Sequence, residues 1–209
     1  MGSLQRIVAI CLTLLAACAF AVAADFEWNF RNQQVIGRTD SSLGNTSRLS
    51  EGQRNELIDA IVLRLQKPMA EHGYDDDRIR EIASTTRLRF VDLGDGKPVV
   101  FATSLGIEGG CDSLNNCPLW IFRQDGDGYV SMLDTFGATY TMQPDTDGGF
   151  ADLVIARHTS ATETTLTLYR YSDGKYQDAG CYKAVFPPPK DDEIQDPEIT
   201  PCKPEESAK

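Results

Sequence analysis

The chain has 209 residues, 41% of them hydrophobic, and a formal net charge of −11. Its 31 acidic side chains outnumber the 20 basic ones, which argues against nucleic acid or an anionic lipid surface as a partner, because both bind clustered Lys and Arg. The length allows one domain of roughly 100 to 150 residues with a core of its own.

Residues 1–24 have the pattern of a signal peptide. Arg6 supplies the positive n-region, residues 7–20 supply an apolar h-region, and residues 21–24 are small enough for a signal peptidase. Cleavage before Asp25 would place the protein in the periplasm or outside the cell and change its net charge to −12. There are two alternatives. In the first, residues 15–18 match a lipobox, and a lipid attached to Cys18 would tether the protein to a membrane. In the second, the leader is not cleaved and acts as a membrane anchor, although its apolar run is shorter than the ~20 residues of a spanning helix.

Residues 25–49 are predicted to be a polar linker or arm. Three aromatic residues, Phe26, Trp28 and Phe30, alternate within it as they would on a strand. They either dock onto the core as an added strand or anchor a loose arm.

Residues 50–186 are predicted to be a single α+β domain that begins with helices at 50–85. Ser50 and Gln53 have the spacing of a capping box, and apolar residues then recur at three- and four-residue intervals. Pro68 is expected to limit this helix, and a short second helix is expected over 75–83. Both helices are interpreted as packing elements.

Residues 86–186 have the pattern of β-strands. Three pairs of apolar runs are joined by Asp-Gly or Gly-Asp-Gly turns at 94–96, 125–128 and 173–174, which is typical of hairpins. Residues 138–142 and 150–157 are predicted to be further strands. The expected fold is an N-terminal helix packed on an antiparallel β-meander of about seven or eight short strands.

The last segment, 187–209, is rich in proline and acidic residues and has few large apolar ones. It cannot bury enough surface to offset its ordering entropy, so it is predicted to be disordered except near Cys202.

Four cysteines lie outside the leader, at positions 111, 117, 181 and 202. An even number in an oxidising compartment indicates disulfides, for which three pairings exist. We favour Cys111 with Cys117, closing a small loop, and Cys181 with Cys202, attaching the acidic tail. A zinc site is the weaker alternative, because the chain has no CxxC pair and His72 and His158 lack ligand spacing.

Two segments, FVDLGDGKPVV at 90–100 and DTDGGFADLVI at 145–155, resemble the Asp-Gly turns of FG-GAP and VCBS-type repeats. In that family such turns form calcium-decorated propeller blades. The order of helix, hairpins and cysteine loop over 49–181 also looks like a group of small uncharacterised exported bacterial proteins. The resemblance implies architecture and no particular activity.

Calcium is the one cofactor that the turns suggest. Asp145 and Asp147 have the alternating spacing of calcium ligands, and Asp152 follows them. However, Gly149 stands where the next acid is expected and Asp152 arrives one residue early. Aspartate and glycine also favour ordinary hairpin turns. These three aspartates are therefore candidate metal ligands, and no other cofactor is predicted.

No catalytic site is predicted. The chain has two histidines, and His72 suits the end of a helix. His158 and Ser160 are two residues apart, so on a strand they share a face, and a hydrolase using His158 is an alternative. No third group or oxyanion site accompanies them.

The aromatic residues of the predicted strands offer a second class of function. On an exposed sheet face, Trp120, Phe122, Tyr169 and Tyr171 would form an interaction surface. The sequence therefore predicts a non-enzymatic exported protein that binds another exported protein or a cell-envelope component, with a calcium-stabilised repeat-like module as the alternative.

Overall fold

A computed structural model describes residue 28 and residues 32–37, 41–94, 96, 98–126, 128–143, 149–188 and 195–203. The chain divides into two units, 1–31 and 32–209. In the first unit only Trp28 is described, so the leader, Cys18, Phe26 and Phe30 lie outside the described residues. The architecture below is that of the second unit.

Two helices, α1 (Glu51–Glu71) and α2 (Asp76–Thr85), follow two short strands, β1 (Gln34–Val35) and β2 (Ser41–Ser42). Nine strands come after the helices: β3 (Arg87–Asp92), β4 (Pro98–Thr103), β5 (Cys117–Asp125), β6 (Gly128–Gly137), β7 (Thr139–Met142), β8 (Leu153–His158), β9 (Glu163–Ser172), β10 (Lys175–Val185) and β11 (Glu198–Pro201). The α+β class is as predicted. The expectation of a strictly N-terminal helical element is wrong, because two strands precede it.

The described strands form two antiparallel sheets, whereas the sequence predicts a single meander. The first sheet has five strands in the order β2-β3-β4-β5-β6, and the second has six in the order β1-β7-β8-β9-β10-β11. The predicted hairpins β3-β4, β5-β6 and β9-β10 are all present. The meander is divided because each of β3, β4 and β5 buries side chains on both faces, so each face needs a covering layer.

Alternating residues of the first sheet enter two separate cores. Leu88, Val100, Ala102, Trp120 and Phe122 pack against α1 and α2. Their neighbours Val91, Val99, Phe101, Leu119 and Ile121 pack against the second sheet, through residues such as Leu153 and Ile155. The first sheet is thus the middle layer of a three-layer arrangement.

Both helices begin within a residue of where the sequence predicts, but α1 continues past Pro68 and α2 ends at Thr85, two residues beyond the predicted end. The Ser50 N–H donates to Gln53 Oε1 at 2.9 Å and the Gln53 N–H donates to Ser50 Oγ at 3.3 Å, completing the capping box. Helix α1 continues through Pro68 to Glu71, with His72 as its C-cap. Burial of Met69, which is 6% exposed, helps to offset the backbone hydrogen bond that Pro68 removes.

Ser50→Ala is expected to destabilise the protein by about 1 kcal/mol, because it removes the acceptor for an unpaired N–H at the start of α1. The free energy of unfolding in urea measures this. Ser113→Ala, in an exposed loop, is the control and should change stability by a few tenths of a kcal/mol at most. Equal effects of the two substitutions would contradict the capping role.

Candidate functional site

The chain passes directly from the first sheet to the second at residues 137–139. Strand β6 ends at Gly137, β7 begins at Thr139, and the Ala138 N–H donates to the Ala156 carbonyl at 2.8 Å. An added Cβ at Gly137 would lie 2.5 Å from Ile155 Cγ2. Only glycine allows β6 to approach β8 this closely.

A cleft of about 890 Å³ lies between the two sheets, beside β6, β9 and β10. One wall is formed by β6 with the end of β5 and part of α1, and the other by the inward face of the second sheet. Its volume lies in the range of small-molecule pockets, roughly 300 to 1,000 Å³.

The cleft floor is a strand face with hydroxyl groups. Thr165, Thr167 and Tyr169 of β9 alternate with buried Thr164, Leu166 and Leu168, so the three hydroxyl-bearing side chains share the face toward the cleft.

The strand register distributes charge along this floor. Thr165 lies opposite Arg157 on β8 and Lys183 on β10, which places two basic residues at one end. Tyr169 lies opposite Asp178 on β10, which places an acidic residue at the other end. Since residues along a strand are ~3.3 Å apart, the two rows are separated by about 13 Å.

The lining contains equal numbers of basic and acidic residues. They are Arg64, Arg157 and Lys183 on one hand and Asp134, Glu163 and Asp178 on the other. Lys183 Nζ lies 3.0 Å from Glu163 Oε2, and Arg64 Nε lies 3.2 Å from Asp134 Oδ2. The Arg64 Nε–H is buried and is not aligned for a hydrogen bond, so this contact is an ion pair by distance alone. Ion pairs as exposed as these each contribute about 1 kcal/mol or less to the free energy of unfolding.

Tyr169 connects the two walls. Its hydroxyl and that of Thr135 on β6 share a hydrogen bond of 2.8 Å. Burial raises the pKa of Tyr169, the bond to Thr135 lowers it, and the nearby Asp178 carboxylate raises it further, with a net increase. Tyr169 is therefore a neutral hydrogen-bonding group at physiological pH.

Arg157 lies at the junction of β6 and β8. Its guanidinium carbon is 5.3 Å from the centre of the Phe136 ring, a cation–π contact. The charge of Arg157 also affects the pKa of the Asp112 carboxyl group. Burial raises this pKa, whereas hydrogen bonds from Asn116 and Leu114 and the positive charge of Arg157 lower it, and the net shift is a decrease. Among the described residues, no carboxylate forms an ion pair with Arg157 within 4.0 Å.

Both favoured disulfides are present. Cys181–Cys202 attaches β11 beside β10, and both of its cysteines line the cleft. Cys111–Cys117 closes a loop whose Asn116 is 0% exposed. The Asn116 side chain accepts from the His158 N–H at 2.7 Å and donates to the His158 carbonyl at 2.9 Å. This amide attaches the disulfide loop to the end of β8.

Only one of the three candidate calcium ligands, Asp152, lies among the described residues. Asp145 and Asp147 lie outside the described residues. Asp152 is buried, and its Oδ2 lies 3.1 Å from Arg170 Nε. The described part of the chain contains no group of three or more His, Cys, Asp or Glu residues placed to hold a metal. The calcium site at these three aspartates stays a prediction.

The two histidines make structural contacts. His72 caps α1. His158 Nδ1 lies 3.1 Å from Thr164 Oγ1, and Ser160 Oγ accepts the backbone N–H groups of Thr162 and Glu163. Each side chain of the hypothetical His158–Ser160 dyad thus has its own partner in the β8-β9 turn.

The predicted aromatic surface is wrong in its main members. Trp120 and Phe122 are 2% and 1% exposed, because the helices cover that face of the first sheet. Tyr169 and Tyr171 are half-buried against the inter-sheet core. Sequence reasoning does not identify the cleft itself, although hydroxyl groups at 165, 167 and 169 alternating with leucines at 166 and 168 are a signal for a polar inward face.

Comparison with known proteins adds no relative: no family model, curated protein or solved structure matches the chain. None of the helices in the described residues is both long and apolar enough to cross a membrane.

The lining of the cleft supplies groups that form hydrogen bonds and ion pairs. Its described lining contains no histidine, and its two cysteines are joined in a disulfide. It offers hydroxyl groups, charged side chains and the half-buried rings of Phe136 and Tyr169. Such groups can orient a ligand by hydrogen bonds and apolar contact.

Proposed function

We propose that this chain is a non-enzymatic exported binding module whose ligand site is the cleft between its two sheets. The observation that carries this proposal is the cleft of about 890 Å³ with hydroxyl and charged side chains directed into it. The leader pattern and the two disulfides support an oxidising compartment outside the cytoplasm. The ligand is another exported protein or a cell-envelope component.

A binding role fits the rigidity of the cleft walls. The hydrogen bond of Tyr169 with Thr135 joins the two sheets at the cleft, and Arg123 Nη1 donates to the Tyr171 hydroxyl at 2.9 Å, joining them a second time. The Cys181–Cys202 disulfide holds the outer strand of the floor. A site that is already ordered loses little conformational entropy when it binds its ligand.

Thr167→Trp is expected to abolish ligand capture, because an indole on the middle of the floor fills the cleft while tryptophan remains a good strand residue. Wild-type and variant proteins, immobilised separately, would be incubated with envelope extract and the retained components quantified. Retention by the variant should fall to the level of beads without protein.

Gln177→Trp is the matched control, because Gln177 is exposed and lies opposite Arg170, on the other face of the second sheet. It should retain the same components as wild type. Circular dichroism would confirm that both variants are folded. Identical retention by wild type and Thr167→Trp would show that the cleft is not the binding site.

A further inference from the structure

We infer that the cleft binds an extended peptide segment, which adds as a strand to the edge of β6 that pairs with no other described strand. This inference rests on the proposed function and specifies its ligand class. Three observations support it: the backbone groups of β6 that point toward the cleft, the equal numbers of acidic and basic residues in the lining, and the length of the floor.

The backbone edge of β6 faces the cleft. Asp134, Thr135 and Phe136 are consecutive, and all three line the cleft. Side chains of consecutive strand residues point to opposite faces, so three in a row line the same space only when the strand presents its edge to it. Strand β6 is the last strand of the first sheet and pairs only with β5 among the described strands.

Pro118 determines which peptide groups of β6 are turned outward. Pro118 has no N–H, and its carbonyl accepts a hydrogen bond from Thr103 Oγ1 on β4 at 2.7 Å. Pro118 therefore cannot exchange the two hydrogen bonds of a bonded pair with Phe136, the residue opposite it on β6. Two residues further on, the Ala138 N–H donates to Ala156 on β8 and so points away from β5 as well. In an antiparallel pair, bonded and non-bonded residue pairs alternate. The N–H and C=O groups of Phe136 and of Asp134 consequently point away from β5.

These outward groups are what an added strand requires. A peptide that pairs with β6 exchanges main-chain hydrogen bonds with Asp134 and Phe136 and turns its alternate side chains toward the floor. There they meet the hydroxyl groups of Thr165 and Thr167. Main-chain pairing supplies affinity for a peptide backbone, and the floor supplies selectivity among side chains.

The charges of the cleft favour a peptide over a polyanion. Three basic and three acidic residues line it, and two of the basic residues are already ion-paired. A phosphate-rich ligand needs unpaired clustered cations. The floor between the Tyr169 and Thr165 rows is about 13 Å long, which accommodates four extended residues.

The test uses the purified protein with both disulfides formed, as bait for a phage-displayed library of random heptapeptides. Enriched peptides would be synthesised and their dissociation constants measured by fluorescence anisotropy. Asp134→Pro removes the outward N–H of β6 without removing a hydrogen bond to β5, and edge strands tolerate proline. Asp134→Ala is the matched control, since it also loses the ion pair with Arg64 but keeps the N–H.

Asp134→Pro is expected to bind the peptides about tenfold more weakly than Asp134→Ala, the effect of one main-chain hydrogen bond with its peptide partner left unsatisfied. N-methylation of the peptide backbone should abolish binding only when the methyl group is placed at alternate positions, where the N–H pairs with β6. Thermal midpoints would verify that both variants are folded.

Two other results overturn the inference in different ways. If enriched peptides bind Asp134→Pro and Asp134→Ala equally, strand addition is wrong although the cleft remains the binding site. The same conclusion follows if the wild-type protein captures only a cell-wall glycan fragment and the Thr167→Trp variant does not retain it. If nothing that the protein captures responds to Thr167→Trp, the proposed function itself fails.

Discussion

Ile61→Ala is expected to lower the free energy of unfolding by about 3 to 4 kcal/mol, within the range measured for large-to-small changes in cores. Ile61 is 0% exposed and lies on α1 in the core between the helices and the first sheet, together with Leu57, Trp120 and Phe122. Truncation removes buried methyl groups and leaves a cavity that the rigid sheet cannot close. Urea unfolding followed by circular dichroism measures the change.

Leu63→Ala is the matched control for Ile61→Ala, because it removes apolar atoms from the same helix two residues away. Leu63 is 71% exposed, so its replacement should change stability by less than about 0.5 kcal/mol. Similar losses for both variants would mean that α1 does not pack through the Ile61 face, and the three-layer arrangement would be wrong.

Gly137→Ala is expected to destabilise the protein by about 2 to 3 kcal/mol through overpacking. Besides its close approach to Ile155, an added Cβ would lie 2.9 Å from the Ala156 carbonyl oxygen, a backbone atom that cannot rotate away. The substitution forces β6 and β8 apart at the point where the chain changes sheets. Differential scanning calorimetry would record the lower midpoint.

Gly52→Ala tests the same chemical change where there is room for it. Gly52 lies in the first turn of α1, and a Cβ added there would meet no heavy atom within 4 Å beyond its chain neighbours and the helix's own backbone. Alanine should raise stability by about 0.5 to 1 kcal/mol, because it restricts the unfolded chain and favours the helix. The two substitutions are thus expected to have opposite signs, and a Gly137→Ala protein as stable as wild type would contradict the crossing geometry.

Much of the local structure follows from short-range signals in the sequence. Ser50 with Gln53, Asp75 with Arg78 and the Asp173-Gly174 turn each act over a few residues, so their hydrogen bonds or backbone angles depend little on the rest of the fold. The disulfide within the small loop is predictable for a similar reason, since Cys111 and Cys117 are only six residues apart.

The division into two sheets cannot be predicted from such short-range signals. Residues 99–102 of β4 are buried on both faces, and such a continuous apolar run does not tell which layers cover it. The passage between sheets depends on Gly137 approaching Ile155, a contact between residues distant in sequence. Strand order likewise depends on long-range pairing that local patterns do not specify.

The candidate site cannot be predicted from the sequence because its residues come from six elements, which include β5 through Pro118. Arg64 lies on α1, Asp134 on β6, Arg157 on β8, Thr167 on β9 and Lys183 on β10. Each is an ordinary polar residue in its own segment. The aromatic residues are more conspicuous in the sequence, but Trp120 and Phe122 serve the core under the helices.

The bond between Cys181 and Cys202 has a consequence for maturation. Strand β11 pairs with β10 through only four residue pairs, too few to hold a terminal segment firmly in place by themselves. Before oxidation, newly synthesised chains would lack the covalent clamp on that border of the floor. On the proposed export route, the disulfide would form only after translocation, when an oxidase joins the two sulfurs. The proposed binding site would therefore be completed outside the compartment in which the chain is made.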